Sequence, residues 1–387
     1  MFLPNYKNGS IVNLMSSITS ACGDKPMYEP FDSIDSTELS KSKNILLVVI
    51  DGLGYEYLMA NGEGSIFSEY LHDKLTAVYP STTAASITSF LTAVAPQQHA
   101  ITGWFVYLKE LGTISAILPF IPRYGENPFN SNEINTAMIF YQSNLFNNIN
   151  RKSYIVTKKE LVNSAYNRTY NKESKMYLYK NSIKDFIKKI KKALKHNNEK
   201  KFIYAYWPEF DYLSHHFGAN SNEVKEHFKE LDEQFSNLLK SIHNIDTSIL
   251  ITADHGFIDT NESKTIYLKD HPELAETLTL PLSGDARNAY CYVRPSKTEK
   301  FESYILNNLN YACQLYKSED LIKKNFFGLY EPNKKLFDRI GDYTLIMKEN
   351  YIIKDFVLGE EEKSLIGHHG GMSKEEMFVP LIVIKNH

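Results

Sequence analysis

Four stretches of the chain, Asn44 to Ile50, Phe202 to Trp207, Ser248 to Thr252 and Val379 to Ile384, run apolar without alternating polar positions. A strand wetted on one face alternates, whereas a strand covered on both faces does not, so these runs predict central strands of a doubly covered sheet. Between them the period changes to that of a helix. Val224, Phe228, Leu231, Phe235, Leu238, Leu239 and Ile242 fall on one stripe, with Ser221-Asn222 placed to cap its start. A second stripe, Ile183, Phe186, Ile187, Ile190 and Leu194, is backed by Lys184, Lys188, Lys189, Lys191, Lys192 and Lys195. Such a basic helix can lie on a membrane surface, but a helix covering a strand exposes its lysines to water in the same way, and that reading is preferred. Strands alternating with helices imply an α/β fold with a largely parallel sheet covered by helices on both faces. Ligands of such sheets gather at the carboxyl ends of the strands.

From Phe257 to about Glu360 the pattern breaks into turn-rich sequence such as Gly284-Asp-Ala-Arg-Asn and Arg294-Pro-Ser, then resumes before the last apolar run. The expected division is a catalytic core in residues 1–256, an inserted cap in 257–360 and a return segment of the core in 361–387. Residues 104–127, with Ile117-Leu-Pro-Phe-Ile-Pro inside them, are expected as a second insertion near the entrance. A net charge of −3 argues against a partner as anionic as a nucleic-acid duplex. Three widely separated cysteines, Cys22, Cys291 and Cys313, suit buried thiols better than a disulfide framework. Neither a signal-like amino terminus nor an apolar run long enough to span a bilayer is evident, so a cytoplasmic protein without a membrane anchor is the expectation.

The candidate chemistry sits where the apolar runs end. Asp51 follows the first, beside Gly52 and Gly54, which free the backbone to turn and approach a ligand. Asp211 and His215 follow the second, four residues apart and therefore on one side of a helical turn. Asp254-His255-Gly256 follows the third, and His368-His369-Gly370-Gly371 precedes the fourth, with His369 favoured as a ligand because it stands directly before the glycines. In Pro80-Ser-Thr-Thr83-Ala-Ala one hydroxyl opens a helix, where free N–H groups attract phosphate; for Ser81 or Thr82 a role as the cap alone is the commoner one, and neighbouring residues can serve both ends. Carboxylates mixed with imidazoles, and no thiolate, suit a pair of divalent ions such as Zn²⁺ or Mn²⁺ rather than a structural zinc.

Taken in order, Val48-Val-Ile-Asp51-Gly, Tyr79-Pro-Ser-Thr-Thr83 with Pro96-Gln-Gln-His99, Asp211-x-x-x-His215-x-x-Gly218, Ala253-Asp254-His255-Gly256 and His369-Gly370 resemble the alkaline phosphatase superfamily. Within it the likeness is greatest to the nucleotide pyrophosphatase/phosphodiesterase family. The resemblance implies an alkaline-phosphatase-like core with an inserted cap, and Thr83 as nucleophile and metal ligand. It implies one ion on Asp51, Asp254, His255 and Thr83, and a second on Asp211, His215 and His369. It also implies attack of a metal-activated Thr83 on phosphorus and a phospho-threonine intermediate. That family commonly has an aromatic-Pro-Asn segment after the nucleophile, whose Asn holds a phosphate oxygen; here the residues are Ala84-Ala85-Ser86, leaving Ser86 as a candidate donor. Arg287, from the cap, is a second candidate for the substrate phosphate. The expected substrate is a small phosphate ester, with a nucleotide among the candidates.

A phosphodiesterase is preferred because threonine suits that branch; a phosphomonoesterase with the same ions comes second. A non-catalytic metal-binding protein comes third. A sulfatase would need a Cys or Ser followed by x-Pro-x-Arg, which does not follow Asp51.

Overall fold

The computed structural model describes residues 1–387 except 126–128, 130–133, 141, 143, 172–173, 363 and 387. The end of the expected second insertion, Asn127, and the terminal His387 thus lie outside the described residues.

The apolar runs form the middle of a seven-stranded sheet. Its order is Leu71–Thr76, Phe378–Asn386, Thr247–Thr252, Asn44–Ile50, Lys201–Trp207, Lys152–Lys158 and Lys175–Tyr179. The five strands from Thr247–Thr252 onward are mutually parallel, and Phe378–Asn386 runs against both of its neighbours. Every residue of Asn44–Ile50 is buried, as expected of a strand covered on both faces. Two helix pairs flank the sheet: Ile11–Ala21 with Thr83–Thr92, and Ile183–Leu194 with Asn222–Ile242. The helix Asn222–Ile242 starts where its sequence indicated, with the Ser221 hydroxyl accepting from the Val224 N–H. In Ile183–Leu194 the apolar stripe is buried and Lys184, Lys188 and Lys192 are exposed. Among the described residues no helix is long and apolar enough to cross a membrane.

A second, wholly antiparallel sheet lies beside the first. Its order is Cys313–Lys317, Tyr343–Met347, Asn288–Cys291, Ser283–Asp285, Phe105–Leu108, Thr113–Ala116 and Ile121–Pro122. The two stretches expected as separate insertions therefore share one sheet, joined where Gly284 pairs with Phe105. Part of it has its own core, with Leu274, Phe301, Leu309 and Leu345 fully enclosed.

Candidate active site

Strands Thr247–Thr252, Asn44–Ile50 and Lys201–Trp207 are adjacent and parallel, so their carboxyl ends lie side by side. Asp51 directly follows the middle strand and is held there by its N–H donating to the Trp207 carbonyl. Asp254 follows the strand on one side. Asp211 sits on the short helix Glu209–Phe217 after the strand on the other, with His215 one turn along, its Nε2 3.5 Å from Asp211 Oδ1. Tight backbone turns allow the convergence. Gly52 adopts φ +78°, and a side chain at Gly256 would begin 2.0 Å from the Glu375 carbonyl oxygen.

All seven expected groups meet. His369 Nε2 lies 3.2 Å from His215 Nε2 and 3.8 Å from Asp211 Oδ1. His255 Nε2 lies 3.4 Å from Asp254 Oδ2, 3.5 Å from Asp51 Oδ1 and 3.1 Å from Thr83 Oγ1. The ring of His255 stacks on that of His369 at 3.7 Å, and its Nε2 is 3.9 Å from Asp211 Oδ1, so His255 stands between the two groups of ligands. Asp211, His255 and His369 form one compact triple, and Asp51, Asp254 and His255 another.

The second atom of each side chain explains why this cluster suits cations. Each imidazole donates its Nδ1–H to a main-chain carbonyl: His215 to Gly367, His255 to Gly256 and His369 to Ser81. That fixes the tautomer with Nε2 bare and aimed at the cluster. Asp254 Oδ1 accepts from the N–H groups of Gly52 and His255, and Asp51 Oδ2 accepts from the Tyr206 hydroxyl. The oxygens facing the imidazoles, Asp51 Oδ1, Asp211 Oδ1 and Asp254 Oδ2, are buried and have no hydrogen-bond donor. A buried acceptor left this way costs about 1–3 kcal/mol, more when charged, and three of them within one cluster call for positive charge. Tetrahedral ions with bonds of about 2.1 Å need ligand atoms about 3.4 Å apart, which is the spacing seen. The residues therefore fit divalent metal.

Burial and the neighbouring carboxylates Asp254 and Asp211 push Asp51 well above the ordinary carboxylate range; burial and Asp254 do the same to Asp211. Burial lowers all three imidazoles, His215 to about 4, which keeps them neutral and able to ligate.

Thr83 is the first residue of helix Thr83–Thr92. Thr82 occupies the cap position but caps nothing: its hydroxyl donates to Asp285 Oδ1, while the Ser81 hydroxyl donates to the Gly371 carbonyl. Of the three hydroxyls only that of Thr83 faces the imidazoles. His368 turns away, its Nε2 3.2 Å from the Leu365 carbonyl, and His216 is exposed against Tyr212.

Two candidates are corrected. Ser86 is buried and donates to the Asp254 carbonyl, so it braces the metal-facing loop rather than reaching a substrate. Arg287 is neither a phosphate clamp nor a surface group. Its guanidinium is buried, bonded through Nε and Nη2 to both oxygens of Glu376 and through Nη1 to the Tyr351 carbonyl. Sequence reasoning missed Tyr206 and Asp285. Tyr206 lies inside an aromatic-rich strand and carries no motif of its own. Burial raises Asp285 to about 7 although Thr82 and the Trp104 N–H lower it.

The model of the type I phosphodiesterase / nucleotide pyrophosphatase family matches residues 45–372. No curated protein matches the chain. Among solved structures, murine ectonucleotide pyrophosphatase / phosphodiesterase 5 superposes with a TM-score of 0.66 at 16% identity over 87% of each chain. An inactive variant of that protein in complex with AMP gives 0.65 at 16% identity, again over 87% of each chain. Phosphonoacetate hydrolase from Sinorhizobium meliloti 1021, with phosphonoformate bound, gives 0.62 at 18% identity over 87% of this chain and 89% of that one. These likenesses carry the alkaline-phosphatase-like fold, and the match over most of the length carries the family. The chain belongs to the type I phosphodiesterase / nucleotide pyrophosphatase family and is a phosphoric ester hydrolase.

Proposed function

We propose that the protein hydrolyses a phosphodiester or pyrophosphate bond of a small phosphate ester through a phospho-threonine intermediate on Thr83. The observation that carries this reading is the set of three donorless carboxylate oxygens facing three bare imidazole nitrogens, with Thr83 Oγ1 at 3.1 Å from one of them. Asp51, Asp254 and His255 would hold one divalent ion beside Thr83, and Asp211, His215 and His369 a second, with zinc or manganese suited to the donors. When bound, such ions supply Lewis acidity, easing deprotonation of a hydroxyl and offsetting charge at phosphorus.

The chain's own groups do the rest. Thr83 Oγ1 forms the bond to phosphorus as the bond to the leaving oxygen breaks, its proton passing to solvent. Water then cleaves the Oγ1–P bond, restoring the hydroxyl and releasing the phosphoryl product. The N–H groups of the first turn of helix Thr83–Thr92 lack partners within the helix and would donate to the oxygens of phosphorus, and the helix dipole would add to their effect. Residues 257–360, together with the strands from Phe105 to Pro122, act as the cap that shapes the entrance.

Brief reaction with a 4-nitrophenyl phosphodiester followed by acid quench is expected to leave a phosphoryl group on Thr83, detected by peptide mass spectrometry. Thr83→Ala is expected to lose both the label and turnover. Turnover without any label on Thr83 would remove the covalent mechanism, and faster cleavage of the matching monoester would move the protein to the phosphomonoesterase reading.

A further inference from the structure

Thr83, Asp211, His215 and His369 open into a single cavity of about 860 Å³, far larger than one phosphoryl group needs. Away from the cluster its wall is mainly apolar: Trp104, Phe105 and Ile121 from the first segment of the second sheet, Leu282 and Phe356 from residues 257–360, and Leu365 from the return segment. Its charges offer no positive surplus for a polyphosphate. Beyond the clustered aspartates and histidines the lining carries Asp285, Asp355, Glu360 and Glu361 against Arg123 and Lys354, with Glu360 and Arg123 neutralising each other. Arg123 is committed to the protein, pairing with Glu360 at 2.8 Å and donating to the carbonyls of Leu282 and Asp355. A second dianionic phosphate placed here would meet acidic oxygens and greasy wall.

We infer that the enzyme selects phosphodiesters whose second arm is an uncharged, largely apolar or aromatic group, lying along the Trp104 and Phe356 walls, and discriminates against arms that bear further phosphates. This rests on the phosphodiesterase reading and narrows its substrate class. Continuity of the cavity with Thr83 gives the occupant: the organic arm attached to the phosphorus under attack.

The test uses three diesters with the same 4-nitrophenolate leaving group and a methyl, phenyl or 2-phosphonoethyl second arm, assayed with the metal-loaded protein. Burying a ring is expected to raise kcat/KM for the phenyl ester roughly tenfold or more over the methyl ester, with the phosphonoethyl ester at or below the methyl one. Trp104→Ala is expected to shrink the phenyl-to-methyl ratio about fivefold, chiefly through KM, and Phe356→Ala to shift it the same way should the first variant fold poorly. Cleavage of all three at similar rates, or preference for the phosphonoethyl ester, overturns the inference and leaves the phosphodiesterase reading intact. If none is cleaved while metal is bound, the phosphodiesterase reading falls first and takes this one with it.

Discussion

Two clusters of buried charge lie close together in this molecule and differ in kind. In one, Arg287 and Glu376 are each at most 1% exposed, and every acceptor of the pair is used: Glu376 also takes the N–H groups of Gly371 and Ser373. Burial opposes ionisation of Glu376, yet Arg287 and these donors hold its carboxyl below the ordinary range. In the other, Asp51, Asp211 and Asp254 crowd together with one oxygen each left without a donor. A completed network holds the fold, here tying the second sheet to the return segment; an incomplete one marks where something must bind. Arg287 reads as a candidate for substrate because a lone arginine in the turn after Gly284 gives no hint of a glutamate 89 residues away.

The sharpest way to break the contrast is to neutralise one carboxylate of the open cluster. Asp254→Asn retains an oxygen for the Gly52 and His255 N–H groups, so folding should persist, while metal content falls and kcat/KM drops by about a thousandfold or more; full turnover with full metal would remove Asp254 from the site. In the closed cluster the loss should appear in stability instead. Arg287→Met strands a buried carboxylate and is expected to cost about 3–5 kcal/mol in urea unfolding, with activity retained in the fraction that stays folded. Tyr206→Phe removes the hydroxyl that occupies Asp51 Oδ2 and should weaken metal binding by about 10–100-fold, measured by chelator competition, with little change in stability.

The smallest effect is the most diagnostic, because its sign is opposite in the two clusters. In metal-free protein Asp51→Asn is expected to stabilise the fold, on the order of 1 kcal/mol, by relieving like-charge crowding. Glu376→Gln should destabilise it. The pH dependence follows the same sign. Because Asp51 and Asp211 titrate well above the usual 3.8, the folded chain keeps protons that the unfolded chain releases. Their contribution to metal-free stability is present at acidic pH and is lost as pH rises through the raised folded value. Neutral His215, with its value near 4, works in the other direction and favours folding as pH rises from about 4 toward the unfolded 6.5. Above that range the loss from Asp51 and Asp211 remains beside that from Asp285, which burial raises to about 7, and metal should abolish only the first. Melting curves with and without metal at neutral and mildly alkaline pH would show this, and an unchanged slope in Asp51→Asn would remove that residue as its source.

Much of the molecule was legible in its residues because burial on both faces leaves an unmistakable mark. Unbroken apolar runs located the central strands, and the aspartates at their ends pointed to the ligand-binding edge. Spacing alone put Asp211 and His215 on one side of a turn. The second sheet was not legible as one body: its strands are two to five residues long, and they come from stretches separated by about 160 residues. Nothing local could announce that Phe105 would pair with Gly284. Ser373 and Glu376 form a capping box that can be read from the sequence, yet the box conceals the buried ion pair that gives Glu376 its larger role.

The primary chain by itself determined which side chains could ligate, where strands would lie hidden, and which helices would show lysines to water, since these follow from local period and side-chain chemistry. Only the tertiary structure decided that His255 stands between both ligand groups, that Tyr206 leaves one oxygen of Asp51 bare, that Ser86 and Arg287 serve the fold, and that the cavity wall is apolar and acidic. Each of those depends on partners brought together by chain crossing, and distance in space is not written in distance along the chain.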